Sequence, residues 1–410
     1  MTDRRVVITG IGALTALGLT CAETWDGLLQ ARSGIGPITL FDASDLPVRV
    51  AGEIKNFDAT HYSDRKQVRR TSRTTHLAIA AATMALQDAQ LDVTKIDPYR
   101  VGVSLGAGVA GLDKTVEGVM SIAAGGTRVN PLGVVSSLAN MPAALTAAQF
   151  NLQGPNATVV TACASGVQSI GEGAEMIRRG WADVMLAGGS DAPILRIGIL
   201  GFNAMGALAQ RNDATACRPF DATRDGTTLG EGSAVLILEE LSHAQRRGVR
   251  MYAEVLGHAI NLDTNNIVEP DMTGQSAANT MRSAINRSGL RPDEISYIHA
   301  HGTATQANDI AETRGIKIVF GEKAPPVSSI KSMMGHTLGA AGAIGVAVSA
   351  QAIASGWIPP TTNYATPDPE CDLDVVPNEA RQVEVSAVLI NAFGFGGQNA
   401  CIVIRKTSEA

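Results

Sequence analysis

Cys163 lies in the segment Thr161-Ala-Cys-Ala-Ser-Gly166, where an apolar β-type run stops and a stretch of helix formers, residues 167–179, begins. Strand, cysteine, helix start, in that order, sets a thiol at the positive end of a helix dipole. There a thiolate is favoured, and the pKa is expected below the free value of about 8.5. Such a thiolate is a strong nucleophile at neutral pH. Two later segments carry histidine beside glycine, His299-Ala-His301-Gly302 and Lys331-Ser-Met-Met-Gly-His336. One cysteine with two separate histidines points to covalent acyl-transfer chemistry. On its type alone Cys163 reads first as a buried packing residue, since free cysteine is among the most buried residues. The small residues after it, which let a substrate approach the backbone, weigh against that. Cys21, Cys217, Cys371 and Cys401 have no such setting and read as packing.

His301 closes a β-type run and is followed by glycine, at the carboxyl end of a strand where α/β proteins bind ligands. His336 precedes a helix expected from about Gly339, and the dipole there keeps an imidazole neutral. A neutral ring with a proton on Nε2 can donate to developing negative charge on oxygen. Lys331, five residues earlier and preceded by apolar Val327 and Ile330, could orient that loop or bias its field. The segment from Asn391 to Asn399 flanks Phe395 with glycine and reads either as a tight hairpin or as a loop able to swing against a substrate. The pairs Gly10/Gly12 and Gly106/Gly108 lack the full dinucleotide fingerprint. His299 and His301 alone make no zinc signature, and Asp309 with Glu312 reads as a structural polar network.

Positioning these groups requires an α/β fold, because strand-like and helix-like segments alternate along the chain. Strands are expected at 5–9, 101–105, 159–162, 183–187 and 233–239, with a long helix over 73–89. The pattern restarts near residue 250: strands at 252–259, 295–300, 327–330, 385–391 and 400–405, helices at 273–288, 309–320 and 339–355. Two successive α/β halves, 1–250 and 251–410, sharing one body, are therefore expected. The 410 residues, 45% hydrophobic and 18% charged, support a large core, and 43 glycines with only 4% aromatics imply close backbone packing. A net charge of -6 disfavours nonspecific binding to nucleic acid or anionic lipid. Five dispersed cysteines without a C-x-x-C pair indicate neither a disulfide framework nor a zinc knuckle, and fit a reducing cytoplasm. Residues 337–364 carry no formal charge, but their Gly, Ala, Gln351 and terminal prolines suit a buried helix of a soluble protein better than a membrane span.

Together the segments resemble the β-ketoacyl-acyl-carrier-protein synthases of the thiolase superfamily, the elongating synthase II type, essentially end to end. The resemblance rests on Val6-Val-Ile-Thr-Gly-Ile-Gly12, Thr161-Ala-Cys-Ala-Ser-Gly166, Arg218-Pro-Phe-Asp221, Leu229-Gly-Glu-Gly232, Ala300-His-Gly-Thr303, Lys331-Ser-Met-Met-Gly-His336, Leu338-Gly-Ala-Ala-Gly342 and Phe393-Gly-Phe-Gly-Gly397. It implies a thiolase-like fold of two duplicated α/β halves in five layers, α-β-α-β-α. It further implies a decarboxylating Claisen condensation: Cys163 accepts an acyl group, and backbone N–H groups of Cys163 and Phe395 hold the oxyanion. His301 and His336 then stabilise the enolate of malonyl-carrier, Lys331 supports the histidines, and Phe395 gates the acyl tunnel. Thr303, Thr305, Val109, Phe202 and Phe393 take substrate-binding places. No redox cofactor or catalytic metal is implied, since the substrates ride on the phosphopantetheine of acyl carrier protein.

Several residues depart from the family pattern. Gly345 stands where relatives usually carry a glutamate that partners the lysine, with Glu312 a candidate replacement. Asn266 and Val268 fall where fatty-acid enzymes place His and Thr, and Gln398 replaces a common Thr. Gln306-Ala-Asn-Asp309 and Arg73-Thr-Thr-His-Leu-Ala78 look more like ketosynthase subunits of type II polyketide systems, so fatty-acid and polyketide chain building are both open. A chain-length partner subunit usually lacks the nucleophile that is present here. A thiolase would carry a second cysteine near the last glycine loop, and residues 393–398 have none. The carrier is acidic, and Arg65, Lys66, Arg69 and Arg70 form the best basic cluster to dock it, or else a solvated helix face. A homodimer is expected, with a heterodimer the polyketide variant.

Overall fold

The computed structural model describes residues 4–127 and 129–407. Ten strands carry the architecture: β1 (Val6–Leu14), β2 (Val101–Gly106), β3 (Asn156–Val159), β4 (Val184–Asp191), β5 (Gly232–Glu240), β6 (Ala253–Leu262), β7 (Tyr297–His299), β8 (Val327–Ser328), β9 (Ala387–Gly394) and β10 (Gln398–Arg405). Six helices matter here: α1 (Arg73–Asp88), α2 (Met141–Gln149), α3 (Ser165–Arg178), α4 (Gln275–Ser288), α5 (Gln306–Phe320) and α6 (Ala341–Ser355).

The duplication is visible in the strand order. The first half runs β3-β2-β4-β5-β1 and the second β8-β7-β9-β10-β6, so that adding five to each number converts one into the other. The pairing senses repeat as well: β2 is parallel to β3 and β4, and β5 is antiparallel to β4 and β1. Likewise β7 is parallel to β8 and β9, and β10 is antiparallel to β9 and β6. The two halves join edge to edge through a short antiparallel ladder, Val6 opposite Val255 and Ile8 opposite Ala253.

Helices α3 and α6 touch strands of both halves and form the middle layer; α1 and α2 cover the first half outside, α4 and α5 the second. Five layers result, as the family resemblance implies. The middle layer explains the glycine and alanine content. A Cβ on Gly166 would lie 2.6 Å from Ala343 N, and one on Gly342 would lie 2.7 Å from Val167 Cγ2, so the two helices cross with backbones in contact. At the outer face, a Cβ on Gly12 would lie 1.9 Å from the Ala81 carbonyl oxygen, which lets α1 settle onto β1. The uncharged segment is this middle helix: the 18 residues Leu338–Ser355 are apolar and long enough to cross a membrane, yet 83% of them are buried inside the protein.

Two local expectations need correction. The strand before Cys163 ends at Val159, and the cysteine sits in a single 3-10 turn, Ala162–Ala164, with Ala162 in a left-handed conformation (φ 48°). Helices at Leu112–Ala123, Met141–Gln149 and Arg196–Ala204 are additional to the expected set.

Candidate active site

Cys163, His301 and His336 are brought together by loops that follow β3, β7 and β8, at the carboxyl ends of parallel strands. Sγ of Cys163 and one ring nitrogen from each histidine all lie within 4.8 Å of one another. His336 Nε2 is 3.1 Å from Sγ. The backbone N–H of Leu338 donates to His336 Nδ1 at 3.3 Å, so the neutral ring carries its proton on Nε2, the nitrogen that faces the sulfur. His336 is itself pinned by backbone bonds on both sides, to Thr228 O at 2.7 Å and from Gly230 N at 2.9 Å. The two imidazoles meet edge to face at 5.4 Å, and His301 Nδ1 is buried without a hydrogen-bond partner.

Burial, followed by the Lys331 ammonium, pushes both histidines well below their ordinary range, so both are neutral. The neutrality expected for His336 is present, but burial is its leading cause. For Cys163 the expected depression is overturned. Burial pushes its thiol up to about 12, and the nearby Asp191 carboxylate adds to the rise. Lys331 and the N–H groups of Phe395 and of Cys163 itself pull only partly the other way. The helix start is where the sequence put it, yet Cys163, only 5% exposed as a residue, has lost the water that would solvate its anion. Alkylation by iodoacetamide is therefore expected to accelerate about tenfold per pH unit from 7 towards 10. A rate already level by pH 8 would contradict this.

Lys331 is buried behind the pair, and its ammonium donates to the His301 carbonyl oxygen. Burial lowers its pKa and the Glu312 carboxylate raises it most among its neighbours. Glu312 accepts from His301 N (2.8 Å), Gly302 N (2.7 Å) and Asn391 Nδ2 (3.1 Å), which holds the His301 turn from below. Gly345 leaves no room for a glutamate: a Cβ there would lie 2.8 Å from the ring of buried His299. The cysteine and two histidines also form a donor set of metal-ligand type, but the Lys331 charge behind them opposes a dication as it opposes imidazolium.

A cavity of about 320 Å³ opens onto Cys163, His301 and His336 and is lined also by Phe202, Thr303, Thr305, Phe393 and Phe395. Phe395 packs against Phe202 at 5.9 Å, and Phe393 stands against His301 at 5.9 Å. A Cβ on Gly394 would lie 3.0 Å from Cys163 N, so only glycine brings the Phe395 loop this close to Cys163. Gly396 is left-handed (φ 76°), as a loop of this shape requires. Thr303 and Thr305 share a hydrogen bond, Oγ1 to Oγ1, at 2.9 Å. Val109 does not line this cavity; it packs in an apolar cluster with Cys163, Ile199, Leu208 and Leu338. Arg65, Lys66, Arg69 and Arg70 are exposed on one short helix, Arg65–Arg70, and none of them lines the cavity.

Sequence reasoning missed Asp191. This fully buried carboxylate accepts from Gly108 N (2.7 Å), Val109 N (3.0 Å), Ala110 N (3.2 Å) and Gly339 N (2.7 Å). The signal available was an acid ending the run Val184–Asp191, with one residue between it and Gly188-Gly189.

The chain belongs to the β-ketoacyl synthase family. It matches the N-terminal domain of that family over residues 3–244 and the C-terminal domain over residues 252–365. It is 44% identical over 98% of its length to a 3-oxoacyl-[acyl-carrier-protein] synthase 2 of Synechocystis, of which it covers 98%. Two solved structures share the whole fold. One is the ishigamide ketosynthase/chain length factor, 35% identical with a TM-score of 0.93, covering 99% of this chain and 100% of that one. The other is a type II PKS ketosynthase in complex with its acyl-carrier protein, 33% identical with a TM-score of 0.91 and the same coverage.

Proposed function

We propose that this protein is an acyltransferase, a β-ketoacyl-acyl-carrier-protein synthase that extends a Cys163-bound acyl chain by two carbons from malonyl-carrier. The observation that carries the reading is the 3.1 Å approach of His336 Nε2 to Cys163 Sγ with its tautomer set by Leu338 N–H, at the base of the cavity. In the first step Cys163 attacks the carrier thioester. The N–H groups of Cys163 and Phe395 hold the oxyanion, and the thiol proton leaves on the released pantetheine sulfur. Next, malonyl-carrier enters past Phe395 and Phe202, its pantetheine arm against Thr303 and Thr305. His301 and His336 donate to the thioester oxygen, carbon dioxide departs, and the electron pair collects as an enolate. That carbanion attacks the acyl carbon on Cys163, and the intermediate collapses by expelling the cysteine sulfur, which takes up one proton from solvent to restore the thiol. Lys331 holds the His301 carbonyl and adds to the burial that keeps both rings uncharged.

Extension of fatty chains is supported by the likeness to the synthase 2 enzymes. The polyketide reading is supported by the ketosynthase likenesses and by a surface suited to a second chain. Val119, Met120 and Ile122 with Val129, Val134 and Val135 are exposed around a cavity of about 350 Å³. That face fits either a second copy or a chain-length partner. A cytoplasmic location accords with the buried middle helix and the free cysteines.

The test is reconstitution with carrier-bound primers of graded length and saturation plus malonyl-carrier, read by intact carrier mass. A 3-oxo product two carbons longer is expected; no extension of any primer would overturn the reading. Charge reversal of Arg65 and Arg69 to glutamate is expected to raise KM for carrier-bound substrate on the order of tenfold while sparing small acyl thioesters. Equal loss with both substrates would remove these residues from carrier docking.

A further inference from the structure

Asp191 sits at the end of β4 with no place in the chemistry above, although four backbone N–H groups converge on it. Three come from residues 108–110, the segment that follows β2 and carries Val109. The fourth comes from Gly339, three residues beyond His336. These two segments meet beside the nucleophile: Val109 and Leu338 pack in the same apolar cluster as Cys163, with Ile194, Ile199, Leu208 and Phe202. An acyl chain attached to Cys163 must displace or follow that cluster. The packing around the carboxylate is tight enough to forbid side chains, since a Cβ on Gly108 or on Gly339 would lie 2.9 or 2.7 Å from Asp191 Oδ2.

We infer that Asp191 is a positioning residue that ties the Val109 wall of the acyl site to the segment bearing His336, and so sets which acyl chains Cys163 accepts. A carboxylate presents two oxygens with about four lone-pair sites, one for each donor here. An amide presents one oxygen, so asparagine leaves two of the four N–H groups facing its own NH2 donors. A buried acid of this kind is retained despite its solvation cost: burial lifts Asp191 to about 6, while the four N–H bonds pull it down. At neutral pH it is therefore ionised and able to hold all four.

This inference rests on Cys163 being acylated, and the experiment separates the two. Wild-type and Asp191→Asn enzymes are offered acetyl and dodecanoyl N-acetylcysteamine thioesters, and acyl-enzyme formation is followed by mass spectrometry. Rates are normalised to folded protein. Asp191→Asn is expected to change the long-over-short ratio of kcat/KM by about tenfold or more, equivalent to about 1.4 kcal/mol. Equal slowing of both thioesters would reduce Asp191 to a structural role and overturn the inference. Absence of acylation in the wild type would overturn the proposed function itself. Should the variant not fold, hydrogen exchange of the wild type decides: the amides of residues 108–110 and 339 are expected to exchange slowly and at matched rates. Fast or unrelated exchange would overturn the tie.

Discussion

Replacing Cys163 with alanine is expected to lower condensation by at least about 10⁴-fold while leaving measurable decarboxylation of malonyl-carrier. The two outcomes separate because the residues act on different atoms. Among the described residues lining the cavity, Cys163 Sγ is the group that the proposed mechanism has carry the acyl chain between half-reactions. Without it no acyl carbon waits for the carbanion. The groups that stabilise the enolate in the proposed mechanism remain: His301 and His336 Nε2, the latter held in its tautomer by Leu338 N–H. Loss of one small buried side chain is expected to cost only about 1 kcal/mol of stability, so a folded variant can be assayed. Product mass reports condensation, and conversion of malonyl-carrier to acetyl-carrier reports decarboxylation. A Cys163→Ala enzyme that still condenses would move the nucleophile elsewhere. The other four cysteines make poor candidates: Cys21 is half-buried, Cys217, Cys371 and Cys401 are buried, and none of the four lines the cavity.

The trio of Cys163, His301 and His336 was legible because each member stands in a local pattern of strand end, glycine and small residues, and such patterns are written in consecutive residues. The two halves were legible for the same reason, as apolar runs recurring in one order on either side of residue 250. What escaped depends on groups far apart in sequence. The helix start does not set the acidity of Cys163, because the burial that dominates it comes from the apolar cluster of Ile194, Ile199, Leu208 and Leu338 and from the Phe393–Gly397 loop. The place of Gly345 became clear only with the His299 ring against it. Asp191 gave little local sign, since its partners lie 83 and 148 residues away. Helix α2 is short and alanine-rich, so no apolar period marked it; Asn140 followed by Pro142 was the one boundary signal available.

Replacing His336 with alanine is expected to remove both activities, with decarboxylation falling by about 10²–10³. The ring supplies a preorganised Nε2–H where negative charge develops on oxygen, and nothing else in the cavity stands in its position. The backbone of residue 336 keeps its bonds to Thr228 and Gly230 in the variant, so the loss falls on chemistry rather than on the loop. His336→Asn, which can still present an N–H, is expected to recover part of the decarboxylation. The pH profile adds a second check. Both histidines are held well below 6.5, so the wild-type decarboxylation rate should be flat from pH 8 down to pH 6, with no loss from imidazolium formation in that window. If His336→Ala instead kept full decarboxylation and lost only acyl transfer, the ring would be serving the cysteine sulfur alone. His301 would then be left as the donor to the enolate, with its unpartnered Nδ1 the first place to look for the proton.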